Sequence, residues 1–441
     1  MDSVSTLLAY TERSGEEAFS KHSKKRAQRM MHYNVSFQPF TATILRTGRD
    51  IEIVAVSARS AGKDRGVDLS AYRWHGDPVS LAQSDDIDVF VELVGGDEGP
   101  AKDATEAALK SGKDVVTANK AMLAHHGQPL AELAEGNGLT IRYEAAVAGG
   151  IPIIKSLTEG LAGNKIKRVM GVMNGTCNYI LTRMQSAGLS YYEVFAEADA
   201  LGYLEADPNL DVGGIDAGHK LAILSAIAYG VQVDFDAVKL EGIGQISIDD
   251  INHAADMGYR IKLLGVSQMT ENGLEQRMTP CLVPETSPLG QLEGGTNMVV
   301  VEGDEVGQIV LRGAGAGEGP TASAVMSDVL DLARGIRIPT FGQPAETLGT
   351  ATPAQCDTPA PYYLRMELLD RPGSLAAVAA ALGQREVSIH RMRQYDHEGD
   401  NAPVLIVTHA TSQSALATAL ADLKSHDAVI GTPVALRIEQ I

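Results

Sequence analysis

From residue 51 to residue 143 the chain alternates short β-branched runs with helical ones, and no other feature restricts its fold so strongly. Residues 51–57 (IEIVAVS) and 88–94 (DVFVELV) read as strands, the second ending in Gly95-Gly96. Residues 101–111 have helical spacing, and 114–117 form a strand. Residues 121–136 form a helix with Gly138 just beyond it, and 139–143 a further strand. Strands separated by helices predict a parallel, doubly wound α/β sheet, the nucleotide-binding architecture.

Such a domain ordinarily opens with a strand running into G-x-G-x-x-G, whose backbone amides hold a pyrophosphate at a helix N-terminus. Here Gly15 is the only glycine before Thr47, in a polar setting with no strand ahead of it. Residues 1–45 therefore read as an atypical N-terminal segment. Without a first strand, the sheet is expected to fall into two half-sheets with unpaired edges. Residues 33–45 offer a substitute central strand but cannot supply the turn. The abrupt return of pattern near Leu45 points to a gene-level or reading-frame alteration. Resequencing the coding DNA tests that, and the absence of any nearby frame encoding a glycine loop would remove it. Arg59, just past the first strand, stands where an adenine ribose is contacted; an arginine there accommodates a 2′-phosphate, although one in a loop is also commonly just solvated.

Residues 202–220 (GYLEADPNLDVGGIDAGHK) concentrate charge ahead of a helix. Leu221, Leu224, Ala228 and Val231 mark one stripe of that helix, with Asp216, Lys220, Ile223 and Ile227 beside it, so most of its circumference is apolar. Asp216 and Lys220 lie one turn apart on one face. A lysine at the mouth of a buried helix with a carboxylate beside it is a candidate proton carrier. An ordinary i,i+4 ion pair is the bland alternative, and the acidic loop before the pair weighs against it.

Other segments are less specific. Residues 144–152 (EAAVAGGIP) combine small residues that permit close backbone approach with carbonyls able to ligate a cation, or form a plain hinge. Residues 166–173 are a strand delivering Asn174 to Asn178 to a helix, where Asn and Thr serve as caps. Residues 245–310 read as short strands and turns, which makes the middle region α+β. Gly313 to Thr321 lead into a helix over 320–335, a second phosphate- or nicotinamide-facing candidate. Residues 339–361, rich in proline, read as a linker, and 362–441 have the order βαββαβ of a ferredoxin-like domain.

At 441 residues there is room for roughly three domains. A net charge of -19 argues against nucleic-acid and anionic-membrane partners. Cys177, Cys281 and Cys356 show neither CxxC pairing nor metal-ligand spacing, which suits a reducing cytoplasm. No apolar run reaches membrane-span length, and the first 31 residues lack a secretory core.

Taken together, residues 117–120 (TANK), 144–154, 173–180 (MNGTCNYI), 202–220 and 313–324 resemble the homoserine dehydrogenases, in their monofunctional form with a C-terminal ACT domain. The resemblance runs from about residue 46 to the end, and residues 202–220 are its specific part. It implies an NAD(P)-binding domain over 46–150 completed by helix 320–335, a catalytic and dimerisation domain over 151–312, and an ACT domain over 362–441. The implied reaction is reduction of L-aspartate 4-semialdehyde to L-homoserine with NADPH or NADH. By resemblance, Lys220 is the acid/base, steadied by Asp216, with Lys120 and Thr176 near the reacting carbonyl and nicotinamide. Glu205 binds the substrate ammonium, with Asp211 and Asp216 adding negative charge, and Tyr203 and Gly202 line the pocket beside the cofactor. Gly96, Gly315 and Gly317 join Arg59 and Lys120 on the cofactor side. Glu144, Val147, Gly149 and Ile151 match a monovalent-cation site, for example for sodium. The Asp370-Arg371-Pro372-Gly373-Ser374 turn implies an amino-acid effector, threonine first, and the assembly is a homodimer or homotetramer. Leu204 stands where the family has a small residue. The missing glycine loop keeps a second class open, a catalytically silent relative that acts as an amino-acid-binding regulatory protein.

Overall fold

The structure is a computed structural model and describes residues 7–13, 47–66, 68–204, 207–395 and 399–441. Residues 33–45, the expected substitute strand, lie outside these. Six strands form the first sheet: β1 (Leu7–Arg13), β2 (Asp50–Ser57), β3 (Arg73–His75), β4 (Val89–Glu92), β5 (Asp114–Thr117) and β6 (Ile141–Arg142). Their spatial order is β3-β2-β1-β4-β5-β6. Alternation along the strands sends residues to two separate cores. Phe90 and Val115 pack with Leu109, Leu123 and Leu130 from the Pro100–Lys110 and Lys120–Gly136 helices. Val89, Val91 and Val116 pack with Val325, Val329 and Leu332 of the Glu318–Ala333 helix on the other face.

The sheet is not all-parallel. β1 fills the central position, antiparallel to both neighbours, with Leu7 opposite Ser57, Arg13 opposite Asp50 and Leu8 opposite Val91. The expectation of two half-sheets with unpaired edges is thereby corrected. Open edges of β2 and β4 present rows of amide and carbonyl groups that an extended segment of either direction can satisfy. The C-terminal ends of β2, β4 and β5 share one edge of the sheet. β1 runs away from that edge, so it cannot deliver a phosphate-binding turn there.

The second sheet has the path β12-β11-β7-β9-β10-β16-β13-β15-β14, with β8 also beside β10. Its strands are β7 (Ile166–Val172), β8 (Lys239–Leu240), β9 (Tyr259–Thr270), β10 (Gly273–Pro284), β11 (Thr296–Gly303), β12 (Gly307–Ala314), β13 (Tyr362–Leu369), β14 (Ile389–Gln394), β15 (Asn401–Thr408) and β16 (Val429–Ile438). The short strands expected over 245–310 are in fact long: β9 and β10 each have 12 residues and pair along their whole length. Buried on both faces, they lack the alternation by which a strand announces its extent. The C-terminal βαββαβ unit has its own core around Leu364, Val378, Val404 and Leu416. It also joins the middle region edge to edge, β16 running parallel to β10 through Cys281–Arg437 and Leu282–Ile438. At that seam the Glu439 carboxylate meets Arg277 at 2.6 Å and Arg437 at 2.6 Å, and pairs with Arg168 as well.

Residues 339–361 connect the two regions as a packed strap rather than a free linker. Phe341, Ala345 and Leu348 are buried. Glu135 accepts from the amides of Thr340 at 3.1 Å and Ala345 at 2.7 Å, and Tyr143 donates its hydroxyl to the Thr340 carbonyl at 2.6 Å. Tyr143→Phe removes that last bond and leaves a buried carbonyl short of a donor; the expected loss is about 1–2 kcal/mol in denaturant unfolding, and a change within error would mean that the strap is held elsewhere. Among the described residues no helix is long and apolar enough to cross a membrane.

Candidate active site

The Ile215–Tyr229 helix carries Asp216 and Lys220, and every residue from Asp216 to Ile227 is buried, as its all-round apolar pattern requires. Gly214 caps it at φ +82°, a left-handed conformation that costs other residues dearly. Lys220 Nζ donates to Asp216 Oδ2 at 2.7 Å and to the Met173 carbonyl at 2.9 Å. Lys120 Nζ, from the first residue of its helix, meets the other oxygen, Asp216 Oδ1, at 2.9 Å. Asp216 thus bridges two ammonium groups from two domains. Burial opposes its ionisation, yet the Lys220 and Lys120 charges outweigh burial and hold its carboxyl well below the usual carboxylate range. The Lys220 side chain is 10% exposed and that of Lys120 31%, so one forms the floor of the site and the other its mouth. An ammonium has three donors and Lys220 spends two on protein, which leaves one for a ligand oxygen.

Asn174 caps the Gly175–Ala187 helix by accepting from the Cys177 amide at 2.7 Å, and turns its amide to Asp211 Oδ1 at 3.2 Å. That ties buried Asp211 to the residue that follows Met173, whose carbonyl receives Lys220. Two residues beyond Asn174, Thr176 donates to the Tyr203 carbonyl at 3.0 Å, and the Tyr203 ring lies 4.7 Å from that of Tyr179. Gly202 precedes it at φ +73° on the exposed rim. Lys120, Asp216 and Lys220 thus form one ion-paired cluster, Asp211 meets the Asn174 cap, and Thr176 meets Tyr203 at the start of the same Gly175–Ala187 helix. Glu205 lies outside the described residues.

The cofactor-side residues divide. Gly95 and Gly96 adopt φ +80° and +87°, and a Cβ built at Gly95 would meet nothing within 4 Å, so the edge before them is open. The Asn119 amide donates to the Gly96 carbonyl at 2.6 Å, which ties this edge to Lys120. Glu92 shapes the turn: its carboxylate accepts from the amides of Val94 and Gly95 at 2.5 and 3.0 Å and from Thr117 Oγ1 at 2.5 Å. Glu92, Thr117 and Asn119 escaped the sequence reading as a unit; a single acid closing an apolar strand before Gly-Gly is the only local signal. Arg59 is exposed on the loop after β2. Gly315 is there for packing, since a Cβ on it would overlap Asn297, whereas Gly317 caps the Glu318–Ala333 helix.

Glu144 spends both carboxylate oxygens on backbone amides, of Ile154 at 2.9 Å and Lys155 at 3.0 Å, and burial pushes its carboxyl up to about 7. Gly149, at φ +47°, lies against the Gly315 carbonyl, where a Cβ would come within 2.6 Å. Val147 and Ile151 are buried in the same turn. The two amide bonds take up part of the carboxylate's accepting capacity. Among the described residues no cluster of three or more His, Cys, Asp or Glu forms a metal site.

Comparison with known proteins identifies the family. The family model described as homoserine dehydrogenase matches residues 152–330, that of the homoserine dehydrogenase NAD binding domain matches 38–144, and the ACT domain matches 362–428. The homoserine dehydrogenase of Neisseria gonorrhoeae is 43% identical over 404 residues, covering 90% of this chain and 92% of its own. The crystal structure of the Thiobacillus denitrificans homoserine dehydrogenase superposes with a TM-score of 0.86 at 38% identity, covering 90% of this chain and 93% of that one. A hyperthermophilic archaeal homoserine dehydrogenase in complex with NADPH matches with a TM-score of 0.53 at 30% identity over 60% of this chain and 77% of its own. With the matched regions spanning the nucleotide-binding, catalytic and C-terminal parts in one order, the chain belongs to the homoserine dehydrogenase family.

Proposed function

We propose that the site reduces L-aspartate 4-semialdehyde to L-homoserine, and runs the reverse oxidation, with Lys220 as the acid/base. The bridging of Lys120 and Lys220 by Asp216 carries this reading. A bound nicotinamide supplies or accepts the hydride. In the reducing direction the free donor of Lys220 protonates the nascent alkoxide; in the oxidising direction Lys220 removes the hydroxyl proton. Asp216 holds both ammonium groups toward one point, and Lys120 adds positive charge where carbonyl oxygen becomes negative. Asp211, with Glu205, supplies the negative charge that a substrate ammonium requires. Thr176 and Tyr203 close the pocket beside the Gly202 rim.

The open Gly95–Gly96 edge and its tie to Lys120 suit the nicotinamide end of the cofactor. Among the described residues no G-x-G-x-x-G turn stands ready for the pyrophosphate. Titration with NADPH, followed by fluorescence, tests the whole reading: absence of saturable binding at millimolar cofactor would leave a regulatory amino-acid-binding protein. Arg59 reads the 2′-phosphate in this scheme. Arg59→Ala should raise KM for NADPH about tenfold or more, the scale of a lost charge-assisted hydrogen bond of about 1.5–3 kcal/mol, and leave KM for NADH in place; equal effects on both cofactors would remove the assignment.

The Glu144–Ile151 turn takes a monovalent cation through its carbonyls, and thermal stability indifferent to exchange of sodium for tetramethylammonium would argue against it. A homodimer forms through the middle region, where β12 ends the second sheet with Val306 and Val310 exposed. Light scattering that gives a monomer mass would refute that. The ACT domain takes an amino-acid effector, with threonine as the first candidate.

A further inference from the structure

We propose that Lys262 is a positioning residue for the reaction. With Asn178 it fixes the turn over residues 292–297, which spaces the substrate side of the site from the strand end that leads back into the nucleotide-binding domain. The proposal rests on the dehydrogenase reading above and adds to it a group that touches neither substrate nor cofactor.

Lys262 stands on β9 and is 4% exposed. Its Nζ donates to Asn178 Oδ1 at 2.9 Å and to the Leu292 carbonyl. Both acceptors are neutral, and among the described residues no carboxylate is within ion-pair reach. Burial lowers the ammonium to about 8, so it is still mostly charged at neutral pH. A buried charge without a counter-charge costs stability, and an apolar side chain of similar length would fill the space at less cost. What the ammonium supplies instead is direction, since it holds acceptors from two separate segments at one point.

Asn178, 1% exposed, completes the clamp. Its amide donates to the Gly294 carbonyl at 2.7 Å while its oxygen receives Lys262. It lies in the first turn of the Gly175–Ala187 helix. The same turn places Thr176 against the Tyr203 carbonyl, and it follows the Met173 carbonyl that receives Lys220. One lysine and one asparagine therefore tie the 292–297 turn to the helix start that faces the substrate.

That turn has no slack on either side. Toward the helix, a Cβ built on Gly175 would be 2.6 Å from the Gly295 carbonyl. Toward the nucleotide-binding domain, Asn297 is 1% exposed and lies so close to Gly315 that a Cβ there would overlap it. Two residues past Gly315, Gly317 caps the Glu318–Ala333 helix, which packs against the first sheet. At Gly175 the contact is backbone on backbone, so no side chain can absorb a shift of the turn. Any displacement moves the Gly175 end or the Gly315 end, and with it the separation of the substrate carbonyl from the nicotinamide.

Steady-state homoserine oxidation by the full chain, with Lys262→Met and Asn178→Ala, tests this. Each variant should lower kcat about 10–100-fold, the scale of a misplacement of about 1 Å, and leave KM for homoserine and for the oxidised cofactor within about threefold. Homoserine deuterated at the carbinol carbon should show a larger isotope effect on kcat in both variants than in the unmodified chain, because hydride transfer becomes the slow step. The double variant should be no slower than the worse single one, since both residues act through one turn. Reduced thermal stability with kcat per folded molecule and isotope effect unchanged would make Lys262 purely structural; that overturns the proposal and leaves the dehydrogenase reading standing. If Lys262→Met fails to fold, Asn178→Ala, which puts a strong helix former at its position, decides on the same readouts. An unmodified chain that does not oxidise homoserine overturns both.

Discussion

Lys220→Met lowers kcat for homoserine oxidation about 10²–10⁴-fold, the range that a positioned proton carrier contributes. The thioether keeps the unbranched shape of the side chain, one atom shorter, and removes all three donors. Two of these now hold Asp216 and the Met173 carbonyl, at 2.7 and 2.9 Å. The third is the only one the protein leaves to a substrate oxygen. KM for homoserine should change much less than kcat, because Asp211, which the proposed reading sets against the substrate ammonium, remains. A variant whose kcat stays within about threefold of the unmodified chain excludes Lys220 as the acid/base, since a proton carrier contributes far more than that. Loss of binding with kcat retained would reassign it to substrate positioning.

Asp216→Leu has the largest combined effect. It abolishes turnover and destabilises the fold by about 3–5 kcal/mol, as removal of one partner from a buried ionic group does. Lys220 and Lys120 lose their shared carboxylate at once, and the leucine fills the space without replacing the charge. Asp216→Asn separates volume from charge and should lose nearly as much. The pH dependence follows from the depressed carboxyl of Asp216. Its stabilisation is present above the unfolded value of 3.8 and is lost as pH falls through the lower folded value. Acid unfolding of the unmodified chain should therefore steepen below about pH 4, and Asp216→Leu should flatten that limb. Parallel acid limbs in the two proteins would show that the carboxylate is not coupled to folding.

Much of this site was legible locally. A helix apolar on nearly every side must be buried, so Asp216 and Lys220 had to be buried with it. Asn174 ahead of a helix announces a cap, and it is one. The βαββαβ order of the C-terminal unit follows from alternating periods of two and 3.6 residues. Lys120 was legible only through resemblance, because one lysine opening a helix has no local mark. Its partner is 96 positions later in the chain, and nothing near either residue records the pairing.

Other features have no local signature at all. An extended run looks the same in either direction, so periodicity cannot say that β1 lies antiparallel between β2 and β4. Proline spacing in 339–361 marks the absence of regular structure, whereas the carbonyls and amides of that strap find Tyr143 and Glu135 from elsewhere in the chain. Glu439 reads as one acid near a terminus until β16 brings it to Arg168, Arg277 and Arg437.

By itself, then, the sequence determined most of the helices, the strands β2, β4, β5 and β6, the burial of the Ile215–Tyr229 helix and the family resemblance, while it missed β1 and the length of β9 and β10, since periodicity, capping and motif spacing act within a few turns of chain. The tertiary structure alone decided which strand occupies the centre of the first sheet, which lysine shares Asp216, and how β8, paired with β10, comes to pack Leu240 against Gly218. Those depend on which unsatisfied edges and charges meet across the fold, and no local pattern encodes a distant partner.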